Sequence, residues 1–468
     1  MAKRTLYLLI FILIAALLAG CVSLAAYNPN ATRHPDPTGT ATQVLTTPTP
    51  QIPTPTPTAI PDWWVEPDAL SGLKIEFWHP WTGKMAEVVA ALVVDFNRSN
   101  PYGIRVTGRD WGGNSGLSGQ VLNRAYLPEL LMANPEQLAA WQAESLDLVD
   151  LAGYQNNPTY GIAEDDYYPV FRSGEGGILT SLPIQRSARV LFYNVTWAKE
   201  LGFTTPPGTP EEFQEQACSA AEANRSDRSV ENNGTGGWLW ESDALTLASW
   251  FAAYGASLPE SLESAYQFNN NNVVDAFTYL RSLLDSGCAW SGKTLYPYEI
   301  FAKRQALFIS GSLQDIPSIK IAMPHYQSTD AWTILPYPGV NGEKNTITNG
   351  VNFAIPSSDP ARQLAAWIFA RWMLLPEQQV KLIQAGGTFP LSESAMAALE
   401  SFSRQNTQWD SALDWIMESQ PAPSSSSWVR IGDLLEDAGW QIAQPYVKLE
   451  EIPAVLGQLD EMITQLVP

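Results

Sequence analysis

The 468-residue chain carries a formal net charge of −21, which excludes nucleic acid and anionic lipid surfaces as partners, because both recruit basic patches. Only 16% of its residues are charged, while it holds 18 Trp, 17 Tyr and 16 Phe, a supply of flat rings that suits pyranose stacking even though most rings belong in a core.

The first segment reads as an export signal. Lys3 and Arg4 precede an unbroken apolar run from Leu6 to Ala19, then Gly20 and Cys21. The run is shorter than the roughly 20 residues a membrane span needs, and its charged start and small-residue end are those of a cleaved signal. Leu18-Ala19-Gly20-Cys21 resembles the bacterial lipobox, so lipidation is expected at Cys21, on the outer face of a membrane, extracellular or periplasmic. From Val22 to Pro61 the chain is rich in Thr, Pro, Ala and Asn, with TTPTPQIPTPTPT at 46–58. Such a segment cannot bury enough surface to fold; at about 3.1 Å per residue it is a semi-rigid spacer.

From about Trp63 onward the chain has no second linker and is long enough for two lobes. Lys74 to Trp78 reads as a buried strand, Met85 to Phe96 as a helix with apolar positions at 88, 89, 92, 93 and 96, and Ile104 to Thr107 as a second strand. Strand, helix, strand is the unit of a parallel α/β sheet. Val190 to Tyr193 is another buried strand. Thr209-Pro210-Glu211-Glu212 starts a helix with a hydroxyl cap and proline at its first position. Val273 to Leu284 and Leu364 to Met373 are helical. Cys218 and Cys288 both fall in apparent helical segments; after export they either bridge or remain buried free thiols.

Gly287 to Thr294 matches GxxxxGK[ST] letter for letter, but that loop needs a strand before it and a helix after it. Here a helix precedes and Pro297 soon comes after, so the match is a decoy. His34, His79 and His325 stand apart without metal-ligand spacing, and no HExxH, CxxC or GxSxG occurs. Asp165-Asp166 and Glu211-Glu212 read as turn and helix-start charges. No catalytic residue, metal or cofactor is expected, although two distant carboxylates could still form a glycosidase pair.

Several segments in order resemble the extracellular solute-binding proteins of family 1, the maltose-binding type. These are KIEFWHPWTG at 74–83 with Phe96-Asn97, Asn100-Pro101 and Ile104 to Val106; Leu182-Pro183 through Phe192-Tyr193-Asn194, then 198–202 and 206–213; FAKRQALFISGS at 301–312; and Trp332 to Pro338, ITNGVNFAIP at 347–356, 361–377 and 386–390. The resemblance implies an α/β, class II periplasmic-binding-protein fold: two lobes joined by crossing segments and closing on a solute in the cleft. It divides the chain into signal 1–20, tether 21–68, first lobe 69–184 plus 316–372, and second lobe 185–315 plus 373–468. The implied role is capture of a carbohydrate by a monomer and delivery to the permease subunits of an importer driven by an ATP-binding cassette, with the membrane touched only through the lipid. An exported glycan-cleaving enzyme and a solute sensor for a membrane receptor are the alternatives.

Carried over by position, the implied ligand-binding residues are His79, Trp81 and Thr82 after the first strand; Trp111; Asn134; Gln185, Arg186 and Ser187 at the first crossing; Trp240; Ser312; Asn349, Gly350 and Asn352; and Trp428. The chain departs from the pattern at Pro210 and Leu313, where the family usually has tryptophan, and near Ala133, where maltose-type proteins have an aromatic. The two lost stacking rings weigh against maltodextrin itself, and Trp238 and Trp240 are the candidate replacements.

Overall fold

The run LPIQRSARVLFYN is apolar enough to be buried on both faces over thirteen residues, and it organises the fold. The computed structural model describes residues 65–123, 125–172, 178–258, 266–292 and 296–466; the expected signal, Cys21 and the tether as far as residue 64 lie outside them. Twelve strands form in the described residues: β1 (Lys74–His79), β2 (Arg105–Asp110), β3 (Leu130–Ala133), β4 (Leu182–Asn194), β5 (Gly236–Trp240), β6 (Ala289–Ser291), β7 (Ala306–Ser312), β8 (Trp332–Leu335), β9 (Tyr337–Pro338), β10 (Lys344–Asn345), β11 (Ile347–Ala354) and β12 (Gln420–Pro421). All but the small β9–β10 hairpin join one path, β2-β1-β3-β11-β4-β7-β5-β6, with β12 on β11 and β8 on β4.

Two half-sheets meet on β4. Its residues 182–188 pair with β11, whereas 189–193 pair with β7 and 191–194 with β8. β1, β2 and β3 are mutually parallel, as are β5, β6 and β7. Because side chains alternate along a strand, Val190 and Phe192 enter one core while Leu191 and Tyr193 enter another.

The helices follow from their sequence. Met85, Val89, Leu92, Val93 and Phe96 make the buried stripe of helix Gly83–Ser99, the spacing a core-facing helix requires. Helix Pro210–Ser226 starts where expected, with the Thr209 hydroxyl accepting from the Glu212 amide at 3.3 Å. Helix Asn271–Asp285 is capped by Asn270. Its Arg281, 5% exposed, donates to the carbonyls of Ile442, Gln444 and Val447 and pairs with Asp285 at 2.8 Å. That guanidinium holds the turn between helices Trp428–Ile442 and Ile452–Leu466.

Three sequence expectations are corrected. Helix Pro376–Gly386 packs on helix Gly83–Ser99 rather than with the rest of 373–468: its Leu382 and Ile383 join the cluster of Leu92 and Phe369, and Lys381 pairs with Asp95 at 3.1 Å. Ile431, Leu435, Leu456 and Leu459 join the second cluster. β8, counted in 316–372, pairs with the far end of β4. Cys288 is not helical; it lies between helix Asn271–Asp285 and β6, where its carbonyl accepts from the Trp238 amide at 2.9 Å. β6 therefore commits part of the GxxxxGK[ST] segment to a strand ladder rather than a phosphate cradle.

Cys218 and Cys288 are disulfide-bonded across 70 residues of chain, tying helix Pro210–Ser226 to the edge strand of the second half-sheet. A loop of that length contributes about 2–4 kcal/mol by restricting the unfolded chain. The Cys218→Ser/Cys288→Ser pair of substitutions should lower the unfolding free energy by that amount in urea titration, and reductant should leave the double variant unchanged while destabilising the native protein.

Candidate functional site

The register of β4 decides where a ligand fits. β3 ends at Ala133, opposite Asn352 of β11, which in turn faces Pro183. β7 ends at Ser312, opposite Arg189. β3 runs parallel to β4 and β7 antiparallel to it, so both aim their carboxyl ends at residues 185–188. Open α/β sheets hold ligands at such ends.

A pocket opens there, enclosing about 1040 Å³ of space partly open to solvent. Its lining includes Pro135 and Glu136 after β3, Thr180, Ser181 and Arg186, then Asn349, Gly350 and Asn352 of β11, and Ala422 and Ser424 beyond β12. Arg186 is its centre: the guanidinium donates to the carbonyls of Gln185 and Val351 and, at 2.7 Å, to the Asn352 side chain. Asn352 in turn donates to Ser181 at 2.9 Å. Burial lowers the Arg186 pKa to about 10, with the charge of Glu136 opposing. Burial raises the Glu136 carboxyl, against the hydrogen bond it accepts from Asn134 at 3.0 Å. Gly350 is required for packing, since a Cβ there would lie 2.1 Å from the Gln185 carbonyl.

Three polar atoms around this point, Ser187 Oγ, Asn349 Oδ1 and Gln137 Oε1, are buried without a hydrogen-bond partner. Gln137 belongs to a second crevice of about 1440 Å³, between helices Asn114–Asn123 and Pro135–Ala143 on one side and helix Trp428–Ile442 on the other. Arg430 and Glu144 approach to 3.9 Å across it.

The remaining expected site residues lie elsewhere. Gln185 accepts from Trp81 Nε1 at 2.9 Å in a buried cluster, with the His79 ring 5.6 Å from Trp81. Thr82 precedes helix Gly83–Ser99 as its N-cap residue, without a side-chain cap bond. Trp240 and Trp238 are packed edge to face in the second core. Trp428 is covered by Tyr266, with ring centroids 5.7 Å apart. Trp111 sits against Trp78 on the far side of the first half-sheet. Ser312 caps the turn into Leu313–Asp315.

Beside Ser312 stands a polar cluster that was not singled out from sequence. Arg189 donates to Thr246 at 2.9 Å, to Glu241 at 3.1 Å and to Asp243 at 2.5 Å. Asp315 accepts from Tyr298 at 2.6 Å and from the Ser312 amide at 2.7 Å. Burial pushes Glu241 up to about 7, Arg189 opposing and Asp243 and Asp315 adding to the rise. The signal available in sequence was positional: Glu136 and Glu241 closely follow the ends of β3 and β5.

The model of the bacterial extracellular solute-binding proteins matches residues 91–408, more than half of the chain. The chain belongs to that family. The sn-glycerol-3-phosphate-binding periplasmic protein UgpB of Brucella abortus is 23% identical over 424 residues, covering 85% of this chain and 92% of the relative. Among solved structures, UgpB from Mycobacterium tuberculosis in complex with glycerophosphocholine superposes with a TM-score of 0.72 at 16% identity, covering 84% of this chain and 98% of that one. The cyclic alpha-maltosyl-1,6-maltose binding protein from Arthrobacter globiformis gives 0.69 at 17%, covering 84% and 99%. The solute-binding proteins of this family share the two-lobe α/β fold, which the half-sheets on β4 reproduce.

His79, buried in the core beside Trp81, gives the fold a pH signature. Burial holds its pKa at about 4, against an ordinary 6.5, while Asp110 opposes the shift. The unfolded chain then takes up a proton between pH 6.5 and 4 that the native state does not. Stability is fully present above pH 6.5 and is lost as pH falls toward 4, by about 3 kcal/mol at 1.36 kcal/mol per unit. Urea unfolding of His79→Gln should show a shallower loss over that window than the native protein; equal slopes would refute the assignment.

Proposed function

We propose that the chain captures a carbohydrate outside the cell and delivers it to the permease of an importer driven by an ATP-binding cassette, without covalent chemistry of its own. The observation carrying this reading is the pocket at residues 185–188, where amides, hydroxyls and one buried guanidinium surround a space at the carboxyl ends of parallel strands. Such pockets bury a small ligand and orient it with a few polar groups. Arg186, Asn349, Asn352 and Glu136 are the proposed contacts.

Two ligand classes occur among the relatives' names, glycerol phosphates and sugars, the latter ranging from maltose-type oligosaccharides to tagatose. Glu136 favours the second. It lines the same pocket as Arg186, with Arg172 exposed at the rim, so a phosphate dianion would meet a carboxylate beside the inner guanidinium where a neutral polyol would find both donors and an acceptor. Isothermal titration against mono- and oligosaccharides should show saturable binding, and sn-glycerol 3-phosphate and glycerophosphocholine should bind less tightly. The reverse order would overturn the carbohydrate assignment. Arg186→Met should weaken sugar binding roughly ten- to hundredfold, the loss of a charged hydrogen bond of about 1.5–3 kcal/mol.

We further propose that Cys21 carries the lipid and that the Thr/Pro-rich segment after it is the tether, which ends before Val65 rather than at residue 68, because Val65 is buried in the first core and Pro67–Leu70 form a helical turn. Tethering would raise the protein's concentration at its permease. Cys21→Ala should move the protein from the membrane fraction to the soluble exported fraction in cell fractionation. The lobe division at β4 is likewise proposed as the closure axis, with Arg430 and Glu144 drawing together on closure.

A further inference from the structure

Away from the crevice, the first half-sheet carries a pocket of about 480 Å³ whose lining all falls within residues 76–126. Three rings meet there. Trp78 stands edge to face with Trp111 at 5.0 Å between centroids and 71° between planes, and Tyr126 tilts against Trp78 at 6.1 Å. Tyr126 is 54% exposed, so its ring is open to a ligand. Hydrogen-bonding groups edge the rings: Glu76 accepts from Trp78 Nε1 at 2.7 Å and contacts Arg109, and Gln120 and Asn123 complete the wall. The Trp111 indole N–H is buried without an acceptor, although a buried donor left unpaired is costly.

We propose that this pocket is a second carbohydrate site, taking a single pyranose ring outside the crevice. Rings offer the apolar face of a sugar a stacking surface, while the guanidinium, amides and carboxylate match hydroxyls that both donate and accept. A metal ion does not fit, because no cluster of acidic or imidazole ligands occurs among the described residues. An anion would meet Glu76. The site is built on helix Asn114–Asn123, whose Gln120 and Asn123 line this pocket while Ser118 and Leu122 border the second crevice rather than the pocket at Arg186.

The test is saturation-transfer NMR with the methyl glycosides of glucose, galactose and N-acetylglucosamine, using the full exported chain. Arg186→Met combined with Asn349→Ala disables the crevice at Arg186, and this variant should still transfer saturation to one of the glycosides. Adding Tyr126→Ala should weaken that residual binding about tenfold, and Tyr126→Phe, which keeps the ring, should restore it. In the otherwise native protein Tyr126→Ala should leave the tight crevice affinity unchanged. Absence of transfer in the crevice-disabled variant, or transfer indifferent to Tyr126→Ala, overturns the proposal. Failure of the crevice reading is separate: it would show as no tight sugar site in calorimetry of the native protein.

Discussion

The fold depends on one constraint, that β4 serves two sheets at once. Its first seven residues are hydrogen-bonded into one half-sheet and its last six into the other. The backbone along it is committed on both sides of the junction, since buried N–H and C=O groups must be paired. Relative rotation of the halves therefore concentrates where pairing passes from β11 to β7, at Ala188 and Arg189. The same stretch is where β3 and β7 point their carboxyl ends. Under the proposed function, ligand contact and hinge are one short piece of chain, so a solute touching Arg186 and its neighbours would act on the pivot itself. The register shift between Val351 and Asn352 places a second irregularity beside it.

The distribution of charge follows from the same geometry. Arg186 and Arg189 stand on either side of the junction in β4, and their surroundings differ. Arg186 is held by carbonyls and an amide, with Glu136 felt only at a distance. Arg189 is gripped by Glu241 and Asp243. One guanidinium remains capable of serving a ligand; the other anchors the start of helix Ala244–Ala253, whose cap is Asp243.

Much of the architecture was legible in the residues. The apolar spacing of 88–96, the Thr209-Pro210 cap and the strand at 190–193 each rest on local rules, and each element forms, with ends extended by a few residues. Strand 190–193 proved to be the tail of a longer one because Gln185, Arg186 and Ser187 interrupt its apolar pattern. In the sheet, Gln185 and Arg186 are satisfied by partners more than a hundred residues away, Trp81 for the first and Asn352 for the second. Packing of helix Pro376–Gly386 on helix Gly83–Ser99 was equally hidden, since both are ordinary amphipathic helices and only tertiary contact assigns them. Of the residues singled out from sequence, Arg186, Asn349, Gly350 and Asn352 line the pocket on the crossing strands, whereas the rings do not. Trp81, Trp240 and Trp428 are large side chains near strand ends and helix starts, but each is under 9% exposed, because rings of that size also fill the core most effectively.

The two outer strands of the sheet have a bearing on behaviour in concentrated solution. β2 shows solvent a row of Arg105, Thr107, Arg109 and Asp110, and β6 at the opposite end is only three residues long. Unpaired strand edges invite pairing with another molecule, and charges or brevity at the edge discourage it. A sheet of ten strands closed at neither end is thereby discouraged from lengthening edge to edge.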